Sequence, residues 1–334
     1  MLPEKENQYE GLINQIGIVL NERRLQAAQS VNTALVQAYW EIGRYIVEFE
    51  QKGKERAEYG TRLYERLSTD LTQKYNKGFN RSNLANIRKL YIVYPIFQTL
   101  SGKLNWSHYC ELINIEDDLE RNFYEKQCIK ENWSVRELKR HKKTMLFHRL
   151  ALSKDKKGIL KLSNEGQVIE KIEDIIRDPY ILEFLNIPQK HQYLESELEE
   201  KIIDNIQTFL LELGKGFAFI GRQHRITLGN KHYYVDLVFY HRILKCFVLI
   251  DLKRGKADHY DVGQMNMYLN YFKKEESVHD DNEPIGIILT AEKDHILIEY
   301  ALASISNQIF ISKYQLYLPD KQLLESQIRR ILEE

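Results

Sequence analysis

A chain of 334 residues with a 43% hydrophobic fraction is long enough for two domains with sizeable cores. No apolar run approaches the roughly 20 residues a membrane helix needs, and Met1-Leu-Pro-Glu-Lys-Glu-Asn is too polar for a secretory signal. Cys110, Cys128 and Cys246 form neither a zinc pattern nor a disulfide framework, so a cytoplasmic protein without a membrane partner is expected. The net charge of zero hides an asymmetry: residues 1–150 carry 24 Lys and Arg against 19 Asp and Glu, and within them 121–149 carry nine against three. A local basic segment of that kind is what phosphate binding requires.

The first 150 residues read as almost entirely helical. Leu12 to Glu50 has apolar residues at helical spacing and should stop near Gly53. Tyr64, Leu67, Leu71 and Tyr75 form a second stripe, followed by a turn at Asn76-Lys-Gly-Phe-Asn. Leu84, Ile87, Leu90, Tyr91 and Tyr94 then mark the apolar face of a helix that Pro95 ends. Its other face carries Asn83, Asn86 and Lys89, with Arg81 and Ser82 at its start. Two short helices around a glycine-containing turn fit a helix-turn-helix. An ordinary helical hairpin explains the same spacing, and spacing alone favours it. Ser107–Ile115 and Leu119–Asn132 read as further helices. Ser134 and Glu137 form a capping-box pattern that opens a basic helix running through Arg149. A charged helix face is usually just solvated. The one-sided charge here also makes Arg136, Lys139, Arg140, Lys142 and Lys143 candidates for nucleic-acid contact, together with Arg81 and Lys89.

The polar break at Ser153-Lys-Asp-Lys-Lys-Gly divides the chain into a helical domain, 1–152, a linker region, 153–176, and an α/β domain, 177–330. Glu195 to Leu213 reads as one long helix stopped by Gly214-Lys-Gly216. Phe217–Leu228 is a strand pair or one bent strand. Tyr233–Tyr240 and Cys246–Lys253 form a hairpin turning near Ile243 and Leu244. Val262–Phe272 is a helix and Pro284–Thr290 a buried strand, giving the order helix, three strands, helix, strand.

The hairpin carries charge where strands should be apolar. Asp251 and Lys253 lie two apart after the apolar run Cys246–Ile250, so they share a face. Asp236 lies about as far from the turn as Asp251 and should neighbour it across an antiparallel ladder. Two carboxylates held together need a cation between them. A Mg²⁺ site fits, with Mn²⁺ as substitute, since Mg²⁺ takes a few carboxylates and keeps its waters. Lys253 would orient water and offset phosphate charge. Glu199 is one of several acids on the preceding helix able to complete the set. Gln264 and Tyr268, four apart on a helix, would reach over the same pocket. The plain alternative is a structural Asp–Lys pair in a sheet. No phosphate-binding glycine loop, zinc motif or serine-nucleophile motif competes.

Asp236, then Asp251-Leu-Lys253, in that element order, resembles the PD-(D/E)xK restriction-endonuclease-like superfamily, and Gln264 with Tyr268 resembles its Gln-x-x-x-Tyr element. Within it the chain is similar to the YhcG-like family of bacterial endonucleases in Asp178-Pro-Tyr-Ile-Leu-Glu-Phe-Leu185, Leu198-Glu199, Phe209-Leu-Leu-Glu-Leu-Gly214, Gly221-Arg-Gln223, Asp236-Leu-Val-Phe-Tyr-His241 and Gly263-Gln-Met-Asn-Met-Tyr268. Tyr39-Trp-Glu-Ile-Gly-Arg44 and Trp106-Ser-His-Tyr109 match that family's helical, winged-helix-like N-terminal domain more weakly. The resemblance implies an α/β domain with a mixed sheet flanked by helices, preceded by an all-α helix-turn-helix-like domain. It implies Glu199, Asp236 and Asp251 as metal ligands, Lys253 as catalytic lysine, Gln264 and Tyr268 as supporting residues and Gln223 in the cleft. Val235 stands where the family's motif has proline, and Asp251 where many relatives have glutamate. The expected function is a metal-dependent nuclease acting on DNA, in defence or repair, and double-strand cutting by one site per chain would call for a homodimer. The rivals are a structure-selective or RNA-directed nuclease and a silent nuclease fold that binds or scaffolds. Intact Asp236, Asp251 and Lys253 argue against silence.

Overall fold

The computed structural model describes residues 2–52, 63–188, 193–292 and 308–333. The expected helix stop at Gly53 lies outside the described residues. The chain divides into two compact units, Met1–Lys139 and Arg140–Glu334. Residues 153–176 include a helix, Lys156–Glu165, capped by Asp155. No helix among the described residues is long and apolar enough to cross a membrane.

The first unit is helical, and helices continue into the start of the second. α1 (Leu2–Lys52) is one continuous helix. Its later part packs on α3 (Arg81–Val93), which follows α2 (Leu63–Tyr75), and Ile46, Leu84 and Ile87 form the contact. Gly43 permits this crossing: a Cβ there would stand 2.3 Å from the carbonyl oxygen of Ile87. Asn80 caps α3 through the amide of Asn83. α4 (Trp106–Leu112), α5 (Asp118–Glu131) and α6 (Val135–Lys143) follow. The Ser134–Glu137 capping box forms as the sequence suggests. The basic helix does not run on to Arg149. It breaks at Met145, which takes φ 52°, and α7 (Leu146–Ala151) begins afresh with every residue buried.

The second unit is a six-stranded mixed sheet flanked by helices, in the order β1-β6-β5-β4-β3-β2. Its strands are β1 (Tyr180–Ile181), β2 (Phe217–Leu228), β3 (Lys231–His241), β4 (Cys246–Lys256), β5 (Ile285–Glu292) and β6 (Gln308–Gln315). β2, β3 and β4 form an antiparallel meander, and β4, β5, β6 and β1 run parallel. Phe217–Leu228 is thus one bent strand, irregular between Phe219 and Gly221. β1 and β6 were not foreseen. The long helix predicted over Glu195–Leu213 is two, α9 (Glu195–Asp204) and α10 (Ile206–Leu213), because Asn205 leaves helical geometry at φ −116°, ψ 27°. α8 is Lys156–Glu165, α11 is His259–Tyr271 and α12 is Lys321–Glu333.

Alternation along the strands builds two apolar layers. Val248, Ile250 and Leu252 of β4 and Ile285, Ile287 and Leu289 of β5 pack with Leu198, Ile202, Phe209 and Leu213 of α9 and α10. Leu249 and Ile288 instead join Val262, Met265, Tyr268 and Leu269 of α11. Strands buried on both faces explain why Cys246–Ile250 is apolar at every position and why a charge at 251 stands out.

Candidate active site

The β3–β4 ladder pairs Leu237 with Ile250, His241 with Cys246, and every residue between in step. One step beyond Leu237 and Ile250 stand Asp236 and Asp251. The two acids therefore face each other where the hairpin's strands leave the ladder. Asp251 is 4% exposed. Lys253 reaches back to it, Nζ to Oδ2 at 2.9 Å, and lies 3.4 Å from Oδ1 of Asp261. Asp236 uses its two oxygens differently: Oδ2 accepts the backbone N–H of Leu252 at 2.8 Å, and Oδ1 accepts Nε2 of Gln223 at 3.1 Å. The same Gln223 nitrogen donates to Oε2 of Glu199 at 2.6 Å. Glu199 comes from α9 and is itself buried. Helix α9, strands β2, β3 and β4 and the first turn of α11 thus each send a side chain to one place.

Crowding sets the protonation behaviour. Burial raises the Asp251 carboxyl to about 7, and the neighbouring charges of Asp236 and Asp261 push the same way against Lys253. Asp236 is raised too, by burial first and by Glu199, while the Leu252 N–H, Lys253 and Gln223 act against the shift. For Lys253, burial lowers the pKa, but Asp251, Asp261 and Glu195 outweigh it, so the ammonium keeps its proton. Lys253 is accordingly a fixed positive charge and hydrogen-bond donor, not a base.

Tyr268 is buried, and its hydroxyl donates to the backbone carbonyl of Tyr234 at 2.9 Å. Its pKa is pushed up to about 12 by burial and then by the charges of Asp251 and Asp236. Gln264 is half-buried on the same helix, and no hydrogen bond among the described residues ties it to the acids. Two residues join that the sequence reading missed. Asp261 follows a legible capping box, Asp258-x-x-Asp261, in which each acid accepts the other's N–H. Glu195 accepts the N–H of Arg254 at 3.0 Å, and its only sequence signal is its place at a helix start.

The donor set suits a hard divalent cation: oxygen ligands, two carboxyls held above their ordinary range by burial first and by neighbouring acids second, and a single amide group between Glu199 and Asp236. It is not a closed cage. Among the described residues no three His, Cys, Asp or Glu side chains are drawn together tightly enough to hold a metal, and Asp251 is held by Lys253 instead.

The basic residues expected to contact nucleic acid fare unequally. Arg140 is a correction: its guanidinium, 12% exposed, pairs with Glu183 and donates to the carbonyl of Ile181. Arg149, at the end of the same basic segment, is buried on Glu212 at 2.7 Å. Lys143 pairs with Glu183 at 3.5 Å and Lys139 with Glu111 at 3.4 Å, both with their side chains exposed. Arg136 is exposed and Lys142 half-buried. Arg81 is exposed 3.3 Å from Glu65. Lys89 donates to Asn114, while Asn83 accepts from Trp106 and Asn86 donates to Cys110. The polar face of α3 is thus turned to the segment that follows it. Gln223, expected in the cleft, lies on the acids.

The chain matches two family profiles, the "DUF1016 N-terminal domain" over residues 15–149 and the "YhcG PDDEXK nuclease domain" over 173–329. It is 38% identical to the curated "Putative nuclease YhcG" of Escherichia coli (strain K12) over 361 aligned positions, covering 98% of this chain and 95% of the relative. Among solved structures, a repair endonuclease from Pyrococcus abyssi aligns at 22% identity and TM-score 0.28, over 40% of this chain and 50% of that one. An EndoMS complex with double-stranded DNA aligns at 17% identity and TM-score 0.27, with the same coverage.

Proposed function

Because the chain belongs to the YhcG family of PDDEXK nucleases, we propose that it hydrolyses DNA phosphodiester bonds with a divalent cation held by Glu199, Asp236 and Asp251. The observation that carries this reading is the Asp251–Lys253 pair beside Asp236, two acids held above their ordinary pKa range with a permanently charged lysine against them. A structural ion pair would need one carboxylate for one ammonium. Here carboxylates outnumber the cation, which a substrate-assisting site requires and a closed core does not.

A bound Mg²⁺ or Mn²⁺ polarises a phosphoryl oxygen and eases deprotonation of water. The chain's own part is positional. Asp236 is fixed by the Leu252 N–H and the Gln223 amide, so the carboxylate is aimed. Lys253, clamped between Asp251 and Asp261, presents a proton-bearing nitrogen that orients the attacking water and offsets the charge gathering on phosphate. Tyr268 braces β3 from α11. The helical segment, 1–152, would handle nucleic acid or assembly and 177–330 would cut. Arg81, Lys89, Arg136, Lys139, Lys142 and Lys143 would supply the positive charge for phosphate. A homodimer would serve double-strand cutting in a cytoplasmic defence or repair role.

The test is incubation of the full chain with circular and linear, single- and double-stranded DNA and RNA, with Mg²⁺ or Mn²⁺ and with a chelator. Cleavage of DNA that the chelator abolishes is expected. Cleavage of RNA alone moves the reading to an RNA-directed enzyme, and cleavage indifferent to the chelator overturns the metal assignment.

A further inference from the structure

Gln223 lies on β2, which among the described residues pairs only with β3 and so forms one edge of the sheet. Arg222 pairs with Leu237 and His224 with Val235, which sets Gln223 opposite Asp236. Its φ is 48°, the left-handed region that a residue with an unbranched side chain seldom enters inside a strand. Backbone held this way persists where surrounding contacts over-determine it, and such residues gather at working sites. Here the contacts are known: one amide nitrogen, with two hydrogens, serves Glu199 on the helix and Asp236 on the strand.

Resting on the nuclease reading above, we propose that Gln223 is a positioning residue whose amide sets Glu199 and Asp236 at the separation a cation uses. It holds Glu199 beside Asp236 as a neutral partner. It keeps that hold on loading, because an amide N–H satisfies one lone pair of each carboxylate without neutralising the charge that draws the cation. Among the described residues nothing else ties Glu199 to β3, and two like charges on separate elements move apart. Gln223 therefore brings Glu199 into the donor set, and its effect on cation binding runs through Glu199.

The test is calorimetric titration of Mn²⁺ into the full chain and its Gln223→Ala, Glu199→Ala, doubly substituted, Gln223→Lys and Asp251→Ala variants. Unfolding temperatures are read on the same metal-free samples. Gln223→Ala is expected to weaken Mn²⁺ by about 10-fold or more, the range for residues that orient metal ligands. Glu199→Ala should do the same and the double variant no worse than Glu199→Ala alone. Gln223→Lys, which substitutes a permanent ammonium, should raise the metal-free unfolding temperature and abolish Mn²⁺ uptake. Additive losses in the double variant, or wild-type affinity in Gln223→Ala, overturn the proposal. If Asp251→Ala keeps wild-type affinity as well, the nuclease site itself is misassigned. If Asp251→Ala loses affinity while Gln223→Ala does not, only the role of Gln223 fails.

Discussion

Around Glu212 three arginines, Arg140, Arg149 and Arg177, share one buried carboxylate. Around Lys253 a single ammonium answers to several acids. Both clusters lie in the second unit, both are largely buried, and they are finished differently. Glu212 takes Arg149 on both oxygens and the N–H of Ile181 at 2.9 Å. Arg149 spends its remaining donors on the carbonyls of Thr144 and Pro179, and Arg140 has Glu183 as a second acid. Its excess positive charge shows at Arg177, whose pKa burial lowers to about 10, at His141, lowered by burial and by the arginines, and at Nε of Arg140 and Nη1 of Arg177, which are buried without a hydrogen-bond partner among the described residues. The acids near Lys253 have no such supply of partners, and Asp236 and Asp251 both shift upward. Buried charge that the protein completes by itself holds the fold. Buried charge left short of a cation is available for chemistry.

The strongest way to break this contrast is to remove the countercharge at Glu212. Glu212→Gln keeps the shape and the bond from Ile181 but leaves three arginines without their shared carboxylate. A loss of about 3–5 kcal/mol is expected in chemical denaturation of the full chain. A loss under about 1 kcal/mol would mean the arginine cluster is not what holds this part of the unit together.

An effect of opposite kind, comparable only at its upper bound, is expected at Asp251. Its folded pKa of about 7 lies above the ordinary carboxylate value of about 3.9. Below about pH 4 both states are protonated and stability is full. As pH rises to about 7 the unfolded chain ionises while the folded one resists. Metal-free stability should therefore fall by at most about 1.4 kcal/mol per pH unit over that window, then level off. Mg²⁺ should accordingly raise the unfolding temperature more at pH 8 than at pH 5, and Asp251→Asn should flatten the metal-free profile. Equal Mg²⁺ shifts at the two pH values would show that the acids do not bind it.

The same contrast governs what could be read in advance. The hairpin was legible because strand geometry is local: a two-residue spacing fixes a face, and equal distances from a turn fix a register. Arg140 looks like a phosphate-binding residue in sequence, and Arg149 like the end of the same basic helix, because their partners, Glu183 and Glu212, lie 43 and 63 residues away. Burial of a charge is decided by such long-range partners, which periodicity does not carry. Glu199 stood out from its neighbours only through the family resemblance, and the left-handed backbone at Gln223 has no signature in residue type. β6 was missed although Ile309 and Ile311 alternate with less buried residues, a readable strand pattern. The break at Asn205 was readable as well, since asparagine competes for backbone hydrogen bonds, and its side chain does donate to the carbonyl of Lys201.

Whether the cluster at the open end of the β3–β4 hairpin cuts phosphodiester bonds is tested most directly by Lys253→Ala. Plasmid cleavage in Mg²⁺, DNA binding and thermal unfolding are measured side by side on the variant and the wild type. A cleavage rate lower by about 100-fold or more is expected, with DNA binding retained and a cooperative unfolding transition preserved. Cleavage at the wild-type rate, or a collapsed transition with Lys253 acting only as a structural partner of Asp251, would contradict it.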